Sequence, residues 1–127
     1  MPDAYQPPPR SWLRKFAAAL AGIVQGMAGQ ASFLIHLPMA GLVIGAGAFL
    51  QVSRHDWCLL LLCIALVLAA ELFNSALERL AKAITREENE HLRAGLDMAS
   101  GAVLMVALGA AAVGLLVLLP HLIAWLP

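Results

Sequence analysis

In the run Glu71-Leu72-Phe73-Asn74-Ser75-Ala76-Leu77-Glu78, two carboxylates and an amide fall on one helical stripe. At about 100° per residue, Asn74 sits about 60° behind Glu71 and Glu78 about 20° behind it, while Leu72, Phe73 and Leu77 cover other faces. The stretch before them, Trp57 to Ala70, is apolar. An acidic side chain at the centre of a membrane helix costs ~2.5–3.5 kcal/mol on insertion scales, so such groups are paired or hold a cation. Hard oxygen donors such as Glu78 and Asn74, with Asp97 or Glu71, suit Mg²⁺, which takes one or two carboxylates, waters and substrate phosphates. That donor set points towards phosphoryl transfer. The plainer alternative is a solvated helix end, with Glu78 paired to Lys82 at i, i+4 and Glu71 held by a partner on another helix.

Other polar residues are less telling. Asp97 with Ser100 is what helix capping and dipole complementarity also produce. His36, His55, His91 and His121 lack metal spacing and read as interface residues. Glu87-Glu88-Asn89-Glu90 reads as a solvated loop face that could touch the ribose or base of a nucleotide. The glycine-rich phosphate loops GxxxxGK[ST] and GxGxxG are missing.

These residues must be positioned by membrane helices. The chain has 127 residues, of which 61% are apolar and 13% charged, and a mean hydropathy of +0.82. Soluble domains lie nearer ~45–50% and ~25%. One integral membrane domain, residues 10–127, is expected after a disordered tail, 1–9, whose prolines withhold backbone donors. The tail lacks the order of a signal peptide. Formal net charge is zero, which argues for neither nucleic acid nor an acidic partner. Cys58 and Cys63 read as buried free thiols.

The fold expected is all-α: an amphipathic surface helix at 10–29, with Arg10, Arg14 and Lys15 beside Trp12 and Phe16, then transmembrane helices at 33–52, 57–84 and 98–125. Glycines at 41, 45, 47, 101, 109 and 114 permit close packing. Arg79, Lys82, Arg86 and Arg93 flank the second connection, so the positive-inside rule puts it and the N-terminal helix in the cytoplasm. The Glu71–Glu78 stripe then lies where a cytosolic nucleotide could reach it, near the loop Thr85 to Gly95.

The sequence Leu61 to Leu80, containing ExxNxAxE, resembles the signature helix of the small prokaryotic diacylglycerol kinase and undecaprenol kinase family. Leu96-Asp97-Met98-Ala99-Ser100-Gly101-Ala102-Val103-Leu104 resembles its second block. Ser32-Phe33-Leu34-Ile35-His36-Leu37 is similar to the Asn-Phe-Arg-Ile-His pattern of its undecaprenol kinase branch. The resemblance covers about Lys15 to Leu119. It implies a homotrimer of three-span subunits in the bacterial cytoplasmic membrane, transferring the γ-phosphate of MgATP to a lipid hydroxyl at the cytoplasmic face. By position, Glu71 would be the general base, Glu78 would hold Mg²⁺, and Asn74 and Asp97 would lie at phosphate or nucleotide. Ser100 and Gln30 would be candidates for contact with the lipid.

Two positions depart from the family pattern. Gln30 stands where a second metal-binding glutamate is usual, and Leu96 where a lysine is usual. Gln30 would still offer Mg²⁺ a carbonyl oxygen, without charge. Losing a cation at the phosphates costs on the order of 10²-fold in rate by analogy with other electrostatic stabilisers. Arg93, one helical turn from Leu96, is the expected replacement, with Lys82 and Arg86 as alternatives. Leu34 also replaces the branch arginine. The competing expectations are a lipid-binding scaffold that keeps the fold and an enzyme of altered lipid phosphotransfer chemistry.

Overall fold

The computed structural model describes residues 4–127, so Met1 to Asp3 of the expected tail lie outside it, and Ala4 to Ser11 form no regular element. Four helices follow: α1 (Trp12–Met27), α2 (Phe33–Phe49), α3 (Arg54–Ile84) and α4 (Glu90–Trp125). No strand occurs among the described residues.

Local chemistry sets each boundary. The Ser11 side chain accepts from the Arg14 backbone N–H at 3.4 Å and starts α1. Gly29 ends the turn after it at φ +75°, a conformation open to glycine at little cost. Helix α2 carries Pro38, which withholds a hydrogen bond from the Leu34 carbonyl without ending the helix. Its C-terminus closes in a Schellman arrangement, in which Val52 N donates to Gly47 O at 3.2 Å and Gln51 N to Ala48 O at 3.3 Å. This puts Gln51 at φ 51°, where glycine is the usual occupant.

The expected boundaries shift in three places. Span 33–52 shortens to the 17 residues of α2, about 26 Å at 1.5 Å per residue and less than the ~30 Å of hydrocarbon in a bilayer. Span 57–84 begins three residues earlier, because Ser53 and Asp56 form a capping box at 3.1 and 3.3 Å. Span 98–125 begins at Glu90, because the Asn89 side chain accepts from Leu92 N at 3.1 Å. The expected loop Thr85 to Gly95 therefore contracts to Thr85–Asn89. Asp97 and Ser100 stand well inside α4 and cap nothing.

Helices α3, of 31 residues, and α4, of 36, are each long and apolar enough to cross a membrane. They pack along one another, α2 packs mainly on α3, and α1 rests on α3. The closed core, Val52, Leu60 and Val117 with Val43, Leu50, Trp57 and Val113 around it, lies at the α2–α3 turn. There the Trp57 ring lies over Gly47, whose added Cβ would meet Cη2 at 3.0 Å. Phe49 and Trp125 meet edge to face at 5.4 Å between centroids, and His121 Nε2 lies 3.7 Å from Asp56 Oδ2. The rest of α3 and α4 leaves Leu61, Leu62, Leu66, Leu104, Leu108, Leu115 and Leu116 exposed, a surface that suits hydrocarbon or further copies of the chain. Both cysteines are free, and Cys58 is exposed, contrary to the expected burial, because it faces away from the core.

Replacing Gln51 by glycine relieves the left-handed backbone and is expected to stabilise the protein by about 1 kcal/mol. The midpoint of denaturant unfolding in detergent measures it.

Candidate functional site

Glu71 is 5% exposed and Ser75, one turn on, is 3% exposed, so the stripe predicted from spacing faces inward. The carboxylate meets one side chain from another helix: His36 Nε2 lies 2.9 Å from Glu71 Oε1. His36 is therefore more than a scattered interface residue, since the start of α2 brings it beside the middle of α3. The interhelical partner that an acidic group at this depth requires is an imidazole.

Along the same stripe, Asn74 Nδ2 donates to Glu78 Oε1 at 3.1 Å. Glu78 makes no ion pair with Lys82 among the described residues, so that part of the plainer alternative is not formed. Asn74 Oδ1 is buried with no hydrogen-bond partner. An orphaned amide oxygen near a carboxylate is a hard donor that a water or a cation satisfies. No group of three His, Cys, Asp or Glu side chains converges among the described residues, so the pair fits an ion that keeps water or substrate phosphate as its other ligands.

From Glu78 outward the stripe enters an open groove of about 820 Å³ between the end of α3 and the start of α4. Glu78, Lys82, Glu88, Arg93 and Leu96 are among its walls. The early start of α4 is what brings Arg93 and Leu96 onto it, one turn apart on the same helix. Asp97, Ser100, Arg86 and Gln30 are not on its walls. Asp97, Ser100 and Arg86 are exposed, and Gln30 is half-buried in the turn between α1 and α2.

Helix α1 closes the other side of α3. Leu72 reaches Gly26 so closely that a Cβ there would displace its Cδ2. The Arg79 guanidinium donates to the Gln25 carbonyl at 2.9 Å, satisfying an acceptor in the last turn of α1. Neither His36 nor this Arg79 contact was recognised from the residues alone. The histidine had a signal, an imidazole among apolar residues in a span; the backbone contact had none.

Comparison with known proteins places the site in context. Residues 17–118 match the family model described as prokaryotic diacylglycerol kinase. An undecaprenol kinase of Bacillus subtilis (strain 168) is 30% identical over 111 residues, 87% of this chain and 90% of that protein. A diacylglycerol kinase of Synechocystis sp. is 34% identical over 123 residues, 96% of this chain and 70% of that protein. No solved structure matches.

Arg79→Ala removes a tie between α1 and α3. Hydrogen exchange of the Val24–Met27 amides is expected to accelerate severalfold while the middle of α3 stays protected, as local opening predicts.

Proposed function

Because this chain belongs to the prokaryotic diacylglycerol kinase family and is a membrane-embedded lipid kinase, we propose that it transfers the γ-phosphate of ATP to the hydroxyl of a lipid alcohol. Diacylglycerol and undecaprenol are the acceptors its relatives' names suggest. The observation that carries this reading is the continuity of one stripe, from the buried Glu71 carboxylate through Asn74 and Glu78 into a groove flanked by Lys82 and Arg93.

In the reaction the lipid oxygen forms a bond to the γ-phosphorus, the bridging bond to ADP breaks with its electron pair on ADP, and the hydroxyl proton passes to Glu71. Phosphoryl transfer of this kind is governed by positioning and charge neutralisation. Mg²⁺, when bound, would neutralise charge on the phosphates. Glu78 and Asn74 would hold it, with Gln30 contributing at most a neutral oxygen. Lys82 and Arg93 would face the phosphates in the groove, and Arg93 would take over from the lysine that Leu96 replaces. Asp97 and Arg86 would lie at the nucleotide's periphery, and Ser100 nearer the lipid.

The finer architecture belongs to the same proposal. With α2, α3 and α4 all crossing and α1 on the cytoplasmic surface, Glu78 and the groove face the cytosol, the side the basic residues favour. A homotrimer in the bacterial cytoplasmic membrane would cover part of the exposed apolar surface of α3 and α4.

The test is transfer from γ-labelled ATP in lipid-like detergent. Glu71→Gln is expected to lower turnover at least ~10²-fold, the scale of general-base loss. Arg93→Ala should lower it on the order of 10²-fold, and Leu96→Lys should restore most of that loss. A wild type that is silent while Gln30→Glu with Leu96→Lys is active would overturn the reading in favour of a scaffold with a decayed site.

A further inference from the structure

We propose that His36 is a positioning residue for the transfer step: its Nε2–H holds Glu71 Oε1 and thereby presents Oε2 to the lipid hydroxyl. This rests on the lipid-kinase reading above and adds to it a residue on a different helix. To act as the base Glu71 must be ionised, and an ionised carboxylate only accepts hydrogen bonds, so in that state the proton of the 2.9 Å contact sits on Nε2 and the imidazole donates. Glu71 Oε2 has no hydrogen-bond partner among the described residues, yet Asn74 Oδ1 is the only sealed side-chain oxygen left unpaired there. Oε2 is therefore unpaired and not wholly sealed.

His36 is also part of the wall of an apolar groove of about 500 Å³ between α2, α3 and α4, whose other walls include Ile35, Met39, Val67 and Leu68. The imidazole thus stands between a hydrocarbon-lined surface and the one buried acid among the described residues. As a helix-to-helix fastener alone the pair is a poor choice, because replacing a buried polar pair by apolar side chains of similar volume is commonly neutral or stabilising. As an orienting pair it resembles the way ligating or reacting groups are held by hydrogen bonds from a second rank of side chains, whose loss commonly costs ~10–100-fold.

Two variants and one spectrum test it. His36→Leu is expected to lower kcat ~10–100-fold, with KM for ATP and for the lipid changed less than about threefold, the pattern of an interaction felt at the transition state. His36→Gln, which keeps an N–H donor, should recover most of that loss. In the ¹⁵N-labelled wild type the His36 Nε2 signal should be that of a protonated, hydrogen-bonded nitrogen and should move in Glu71→Gln. Full kcat in His36→Leu, a loss that glutamine does not restore, or an Nε2 signal indifferent to Glu71→Gln overturns the role. A wild type that transfers no phosphate to any lipid alcohol overturns the kinase reading, and this role with it. An active wild type beside an indifferent His36→Leu overturns this role alone.

Discussion

Everything in this bundle is arranged around one constraint, the cost of keeping the Glu71 carboxylate among apolar helices. Its side chain is 6% exposed and its bond to His36 crosses from α3 to α2. Unpaired burial of a charge or of a strong acceptor is costly, and breaking a buried pair by removing one partner is costlier than replacing both. The first turns of α2 must therefore lie against the middle of α3, and the turn Gly29 to Ser32 must deliver them there. The transfer proposed above would use this carboxylate to accept the proton of the lipid hydroxyl.

Helix α3 is the element that links this acid to the solvent side. One end is fixed at the α2–α3 turn by the capping box of Ser53 and Asp56, the Trp57–Gly47 contact and the small core around Leu60. Its other end runs beyond α2, where α1 and the start of α4 flank it. Because one helix carries Glu71, Asn74 and Glu78, their relative placement follows from helical geometry and needs no loop to preserve it. The more adaptable polar groups, Lys82 and Arg93, sit at the open groove, where long cationic side chains can follow phosphate. In the proposed transfer the acid fixed on the helix would position and the cations at the groove would compensate charge.

Much of this was legible in the residues. The period of α3 from Trp57 to Ile84 and its inward stripe follow from the spacing of Glu71, Asn74 and Glu78, and the family follows from the same helix. The start of α4 was not legible as read, because the acidic run Glu87 to Glu90 looks like a solvated loop, although Asn89 followed by Glu90 is a capping signal. The Ser53-Arg54-His55-Asp56 box was visible by type and spacing and moves α3 by one turn. The pairing of His36 with Glu71 spans 35 residues. No local pattern encodes a contact between helices of that separation, and only the demand of a buried acid for a donor hints at it.

Whether this arrangement moves phosphate from ATP to a lipid is decided by where the label goes. Wild-type protein in lipid-like detergent, given γ-labelled ATP, Mg²⁺ and either diacylglycerol or undecaprenol, should move label into the organic phase as the lipid monophosphate, faster for its proper acceptor. Label that stays in ATP or appears only as inorganic phosphate, with both lipids present and the protein folded, would rule out transfer to a lipid alcohol.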